Sequence, residues 1–497
     1  MKSAAWYLNE LIKRPALYWE KRGESFALQY FKKISQNIPA YNKFLKSKKI
    51  DPKQIKTISD FKKIPLVDKK NYLKKYPYED LFVDSKFADK HWVISSTSGS
   101  TGVPFYFPRT DEQDLQYALT AELYLLTNFQ INKKTTLYIN GFAMGVWIGG
   151  LFTYQAIKHV ASENKYKLSI INPGINKTEI LNAVKKLGSY FDQIIIGGYP
   201  PFVKDLVDYG NENGINWKNK SIKFIFSAEG FSEDFRDYII SNAGLKNPYL
   251  DTLNHYGTVD IGTKSYETPI SILLRRLALK NRELYKSLFG DTHKLPTLTQ
   301  YIPEHFYFEE IKGGLVCTAK SGLPLVRYDL KDNGGVHNFD RVVEICEKHK
   351  IDLLVEAKKV GIIETIWKIP FVYLYERSDM SVTFYGANIY PETIRKVLEN
   401  SSFHKIFSGK CSLEVKHTKK QNQVLIIHVE LRSGISGNKE MENNLKDAIA
   451  ETLKKENSEY RNNYEQLGRL AVPKILFWMH GHENYFKSGG KQKWVRK

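Results

Sequence analysis

The rhythm of hydrophobic and polar positions changes three times along the chain. Up to about residue 90 it is helical, with basic connectors. Ser25 to Ile34 has an amphipathic repeat, and Thr57-Ile58-Ser59-Asp60 is a helix-start signal. From Lys90, short β-branched runs alternate with helical stretches: Trp92–Ser95, Thr135–Ile139, Lys167–Ile171, Gln193–Ile196, Ile222–Phe226 and Leu250–Leu253. Most are followed by Gly, Pro, Asn or Ser. This alternation predicts an α/β domain with a mainly parallel sheet. Ligands of such sheets lie beyond the carboxyl ends of the strands, so the polar residues after each run are the first candidates for chemistry. A basic helical stretch begins at Ile272-Leu273-Leu274-Arg275-Arg276. A hairpin follows, with Phe306–Ile311 and Leu315–Thr318 joined by Gly313-Gly314.

The last change falls near Asp379. Pro391 opens a helix that runs to Glu399. Leu413–Lys416 and Val424–Leu431 read as a hairpin, Met441, Leu445, Ile449 and Leu453 line one helix face, and Ile475–Trp478 reads as a strand. The expected organisation is a large N-terminal domain over 1–378, made of a helical extension (1–90) and an α/β core (91–378). A small, mobile α+β domain over 379–497 completes it. No internal repeat or low-complexity tract interrupts the chain.

Composition adjusts this picture only slightly. A chain of 497 residues with 42% hydrophobic content is too long for one core and too apolar for disorder. The net charge of +20 fits an anionic partner. The lysines are spread along the chain, however, and no aromatic-basic recognition motif accompanies them, so no nucleic-acid partner is expected. The three cysteines are far apart, which indicates neither a disulfide framework nor a zinc site. The N-terminus lacks a signal-peptide core. The longest apolar run, Phe142 to Ile157, is too short for a transmembrane segment and contains glycines. A soluble, cytoplasmic protein is expected, with monomer and homodimer both open.

The stretch Val93 to Phe107 sets hydroxyls and glycines between two β-prone runs. Thr97, Ser98, Gly99, Ser100, Thr101 and Gly102 offer many N–H and O–H donors to one compact anion. Val103 and Pro104 follow where the common P-loop has Lys and Ser or Thr. On composition alone, a phosphate cradle and a surface turn are equally good readings.

Five stretches follow in order: Ser227-Ala228-Glu229-Gly230; His255-Tyr256-Gly257-Thr258-Val259-Asp260; Pro324-Leu325-Val326-Arg327-Tyr328-Asp329-Leu330-Lys331-Asp332; Arg377-Ser378-Asp379 with Gly386-Ala387-Asn388; and Ser488-Gly489-Gly490-Lys491. Together with the loop they resemble the adenylate-forming superfamily of acyl-CoA synthetases, adenylation domains and luciferase. Phe61-Lys62-Lys63-Ile64-Pro65-Leu66-Val67-Asp68-Lys69, Trp147-Ile148-Gly149-Gly150 and Gly198-Tyr199-Pro200-Pro201 resemble its phenylacetate–CoA ligase and capsule-biosynthesis branch.

The resemblance implies ATP-dependent activation of a small-molecule carboxylic acid through acyl-AMP, with loss of pyrophosphate and then transfer to a thiol, CoA before others. It also implies roles. Thr97 to Thr101 would hold the β- and γ-phosphates, with Gly102, Glu229, Gly257 and Thr258 also at the nucleotide. Tyr256 would lie against adenine, Asp332 would accept the ribose hydroxyls, and Arg377 would sit near ribose and phosphate. Asp260 would hold Mg²⁺. Lys491 would neutralise the α-phosphate, Asp379 would be the hinge, and Gly386, Ala387 and Asn388 would line the thiol tunnel.

Three positions depart from the family pattern. Val259 and Asp260 replace Ser or Thr and Glu, and Glu376 replaces Gly. An amine or hydroxyl acceptor, for instance in surface-polysaccharide synthesis, and a non-catalytic nucleotide binder are the alternatives. The acid pocket is expected at Phe142 to Gly150 and Gly197 to Pro201, although ordinary helix–sheet packing would equally account for those glycines.

Overall fold

The computed structural model describes residues 2–97, 104–290, 295–377, 381–398, 400, 402–403, 405–486 and 494–496. The chain divides into two compact units. One comprises Met1–Ser95, Phe107–Gly198 and Val207–Ser378; the other comprises Ser96–Tyr106, Tyr199–Leu206 and Asp379–Lys497.

An eleven-stranded sheet runs through the first unit. Across it the strands are Phe306–Ile311, Gly314–Ala319, Leu325–His337, Phe371–Arg377, Thr297–Gln300, Gly262–Tyr266, Thr252–Thr258, Ile222–Phe226, Gln193–Gly198, Thr136–Asn140 and Leu168–Ile171. From Thr252–Thr258 to Leu168–Ile171 all neighbours are parallel. From Thr252–Thr258 to Phe306–Ile311 all are antiparallel. The sheet is therefore mixed rather than mainly parallel.

Chain length between strands explains part of the difference. A parallel crossover needs a dozen or more residues, and helices such as Ile148–Ser162, Lys177–Leu187 and Glu233–Ala243 supply it in the first half. In the second half three links are short, Val259–Ile261, Lys312-Gly313 and 320–324, whereas helical stretches lie between Tyr266 and Thr297 and between His337 and Phe371. The parallel strands are buried on both faces: Ile194, Ile195, Ile196, Phe224, Ile225 and Phe226 are all excluded from solvent.

The N-terminal extension folds onto this sheet as helices Ala4–Lys13, Ala16–Asn37 and Pro39–Ser47. Trp19, Phe26, Ala27, Tyr30, Phe31 and Ile34 form the buried stripe of the second helix. The expected start at Thr57 is a capping box with Asp60, and a second box pairs Asp68 with Asn71. Just before Asp68, Val67 bridges the strand Leu325–His337: its N–H donates to Arg327 O at 3.1 Å, and its carbonyl accepts from Asp329 N at 2.8 Å.

A buried ion cluster braces the turn after Ile222–Phe226. Arg236 donates to Glu267 at 2.7 Å and to Glu233 at 2.9 Å, while Arg275 bonds Glu267 at 2.7 Å and Phe231 O at 2.5 Å. Every charge in it is paired, as burial requires.

The second unit has its own core. The strands Phe407–His417 and Gln423–Leu431 are antiparallel, and Lys474–Trp478 adds parallel to the latter. Leu445, Ile449 and Leu453 of the helix Lys439–Glu456 pack into this core, while Met441 is only part-buried. Residues 494–496 return to the sheet edge, where Leu413 N donates to Trp494 O at 2.9 Å. Among the described residues no helix is long and apolar enough to cross a membrane.

Burial gives the first unit a definite pH dependence. The rings of His255 and His305 are pushed down to about 3 by desolvation. In the unfolded chain they take up protons near 6.5, so below that pH the unfolded state binds more protons than the native one. Their contribution is complete above pH 6.5 and is lost as pH falls toward 3, by up to about 1.4 kcal/mol per pH unit for each ring. Urea unfolding at about pH 7.5 and about pH 5.5 should show the loss, and His305→Gln should make it shallower.

Candidate active site

The strand Thr252–Thr258 sends alternate side chains to opposite faces of the sheet. His255 turns into the core among Tyr117, Tyr124 and Tyr266, with ring centroids 6.1, 5.1 and 6.5 Å away. Asn254 and Tyr256 share the other face. The Tyr256 hydroxyl donates to Asp332 Oδ2 at 2.5 Å. Lys264 from the paired strand sets its ammonium 3.8 Å from the centre of the Tyr256 ring and 3.3 Å from Thr258 Oγ1. Gly257 permits this hairpin to close, since a Cβ there would stand 3.0 Å from Gly262 O and 3.2 Å from Thr263 Cα.

A second bond mirrors the first. Tyr328, four residues before Asp332, donates to Oδ2 of Asp260, four residues after Tyr256, at 2.6 Å. Both stretches read Tyr-x-x-x-Asp, and each tyrosine holds the other stretch's carboxylate. The other Asp260 oxygen, Oδ1, faces Lys69 Nζ at 3.2 Å, and that ammonium lies 5.5 Å from the centre of the Phe107 ring. Asp260 and Asp332 are both buried. The sequence motifs contain Asp260, Tyr256 and Asp332, but their reading missed Lys264 and gave Lys69 and Tyr328 no role. Only the branch signature Val67-Asp68-Lys69 pointed toward the lysine.

Arg327 does not face this site. Its guanidinium clasps Glu309 through two bonds of 3.0 Å and donates to the carbonyls of Lys62, at 2.6 Å, and Ile64. It stitches the N-terminal extension to the sheet edge.

Glu229 lies in the turn after Ile222–Phe226. Ala228 takes a positive φ of 78° there, and Asn254 Nδ2 donates to Glu229 O at 3.0 Å. The buried Oδ1 of Asn254 has no donor among the described residues. Thr97 closes the neck of the hydroxyl-rich loop: its N–H donates to Phe105 O at 3.1 Å, and its Oγ1 accepts from Phe105 N at 3.0 Å. Ser98, Gly99, Ser100, Thr101, Gly102, Asp379 and Lys491 lie outside the described residues. The backbone of Arg377 pairs in register with Asp332, and its side chain is not described.

The expected acid-pocket glycines answer to packing. A Cβ on Gly150 would lie 2.3 Å from Ala143 O, and one on Gly197 would lie 2.6 Å from the Tyr138 hydroxyl. Gly386, Ala387 and Asn388 belong to the second unit. There, Tyr385 and Gly386 take φ values of 47° and 83° in a two-residue hairpin turn, which explains the glycine. Thr383 Oγ1 donates to Asn388 Oδ1 at 3.1 Å across that hairpin.

No family model and no curated protein matches the sequence. Solved structures do. The chain superposes on 2-hydroxyisobutyryl-CoA ligase, crystallised with 2-HIB-AMP and CoA, with a TM-score of 0.65 and 15% identity over 98% of this chain and 91% of that one. The same ligase in its postadenylation state, with 2-HIB-AMP, gives a TM-score of 0.55 over the same shares at 15% identity. The fold is shared with that ligase, a large α/β part followed by a C-terminal domain.

Because Arg327 is buried against Glu309, Arg327→Met should leave that carboxylate uncompensated and cost about 3–5 kcal/mol of stability. Urea unfolding checks this. The double variant Arg327→Met, Glu309→Met should recover much of the loss.

Proposed function

We propose that this protein activates a carboxylic acid with ATP through an acyl-AMP intermediate, releases pyrophosphate and transfers the acyl group to the thiol of CoA. The reciprocal Tyr256–Asp332 and Tyr328–Asp260 pairs carry this reading. They hold two carboxylates in a fixed relation on a fold shared with a ligase crystallised with an acyl-AMP and CoA.

The phenol of Tyr256 donates to Asp332 and fixes that carboxylate, which would accept the ribose hydroxyls. The unfilled Oδ1 of Asn254, on the same strand face as Tyr256, would accept the exocyclic amine of adenine. Thr97 to Thr101 would hold the outer phosphates, with Gly102, Gly257 and Thr258 nearby and Arg377 toward the ribose. The carboxylate must attack a phosphorus surrounded by negative charge, so the site has to present cations and donors. Lys491 is the residue for that charge, and Asp379 is the hinge that would withdraw it before Gly386, Ala387 and Asn388 receive the thiol.

Among the described residues no group of three or more His, Cys, Asp or Glu side chains could hold a metal ion. A Mg²⁺ that draws most of its ligands from phosphate and water needs no such group, and Asp260 Oδ1, already facing a cation, fits as its one carboxylate. When bound, it would supply charge neutralisation at the phosphates. A branch assignment to phenylacetate–CoA ligases, and a cytoplasmic location, belong to the same proposal.

Hydroxylamine trapping of acyl-AMP and pyrophosphate release, run over a panel of carboxylic acids, test the reading without assuming the acceptor. One acid should give both signals, and CoA should then yield a thioester. Asp332→Ala should weaken ATP binding by about 2 kcal/mol, on the scale of a lost charged hydrogen bond. A folded Asp332→Ala protein with undiminished ATP affinity would falsify the assignment of that carboxylate.

A further inference from the structure

The N-terminal extension delivers one ammonium to Asp260. Its aim is set by backbone rather than by the length of the lysine chain. Val67 is bridged on both sides to the strand carrying Tyr328, at 3.1 and 2.8 Å. Asp68 caps the following turn and pairs with Lys331 at 3.2 Å. Arg327 holds the carbonyls of Lys62 and Ile64. Lys69, next in line, is thereby placed against Asp260 Oδ1 at 3.2 Å, on the carboxylate whose other oxygen Tyr328 fills. Its side chain is still 34% exposed, and it also approaches the ring of Phe107, in the strand that follows the hydroxyl-rich loop.

We propose that Lys69 is a nucleotide-binding residue: it neutralises Asp260 while the site is empty and turns to the phosphates of ATP when nucleotide enters. This rests on the nucleotide reading of the Tyr–Asp pairs. An ammonium paired to one carboxylate adds no net charge. A triphosphate is a much stronger anion than a single carboxylate, and a cation that takes Asp260 releases the lysine toward it. A half-exposed, flexible four-carbon stem allows that turn, whereas the backbone ties keep its root fixed. Lys69 would therefore read the phosphates and leave adenine and ribose to other groups.

Calorimetric titration of the full chain with ATP and with adenosine, in magnesium and in EDTA, separates the cases. Lys69→Ala and Lys69→Gln should weaken ATP by about tenfold or more, the scale of a lost charged hydrogen bond, with adenosine unchanged. Lys69→Arg should restore most of the ATP affinity. Unchanged ATP affinity in the Ala and Gln variants, or equal loss of ATP and adenosine, overturns the proposal and leaves Lys69 a structural ion pair. A wild-type chain that binds neither ligand overturns the nucleotide reading of the site, and this inference with it.

Discussion

Two phenol–carboxylate bonds hold the hairpin of Thr252–Thr258 and Gly262–Tyr266 to the strand Leu325–His337. Each is a charge-assisted bond in a buried setting, where such bonds are strong and a lost partner is costly. The pairing is reciprocal, so neither stretch can shift along the other without breaking both bonds. It fixes the spacing of Asp260 and Asp332, and every role assigned to the surrounding groups refers to those two carboxylates. At Gly257 the paired backbones of the hairpin come so near that a Cβ would be tightly crowded. The strand is held from behind by Arg327, which also draws the N-terminal extension into place.

Much of this could be read from the chain. The parallel strands announced themselves because burial on both faces favours strongly apolar runs, as at Ile194–Ile196 and Phe224–Phe226. The antiparallel half was harder. Its strands alternate polar and apolar residues, and only the hairpin at Lys312-Gly313 had a clear turn signal. Asp260 and Asp332 stood out by motif. Their pairing with Tyr328 and Tyr256 did not, because a tyrosine that bonds a distant carboxylate has no local signature, and Lys69 is one lysine among many in a basic stretch. Arg327 sits in the most specific motif of the chain and yet serves the sheet edge rather than the site.

The second unit contains the small sheet and the helix face of Leu445, Ile449 and Leu453 that its sequence implied, and adds a turn in which Gly386 takes a positive φ. Its tail is tied back to the sheet edge at Leu413, an arrangement without any periodic signal in so short a segment. Gly150 and Gly197, in the stretches expected to line an acid pocket, allow close approaches at Ala143 and Tyr138.

The central claim is that a carboxylate oxygen attacks the α-phosphorus of ATP. Turnover with an acid labelled with heavy oxygen in its carboxylate, followed by mass spectrometry of the products, tests it directly. The account predicts one labelled oxygen in each AMP formed, because the bridging oxygen of acyl-AMP stays with the nucleotide when the acyl group departs. Label appearing in inorganic phosphate, with unlabelled ADP, would mean an acyl phosphate and would contradict it.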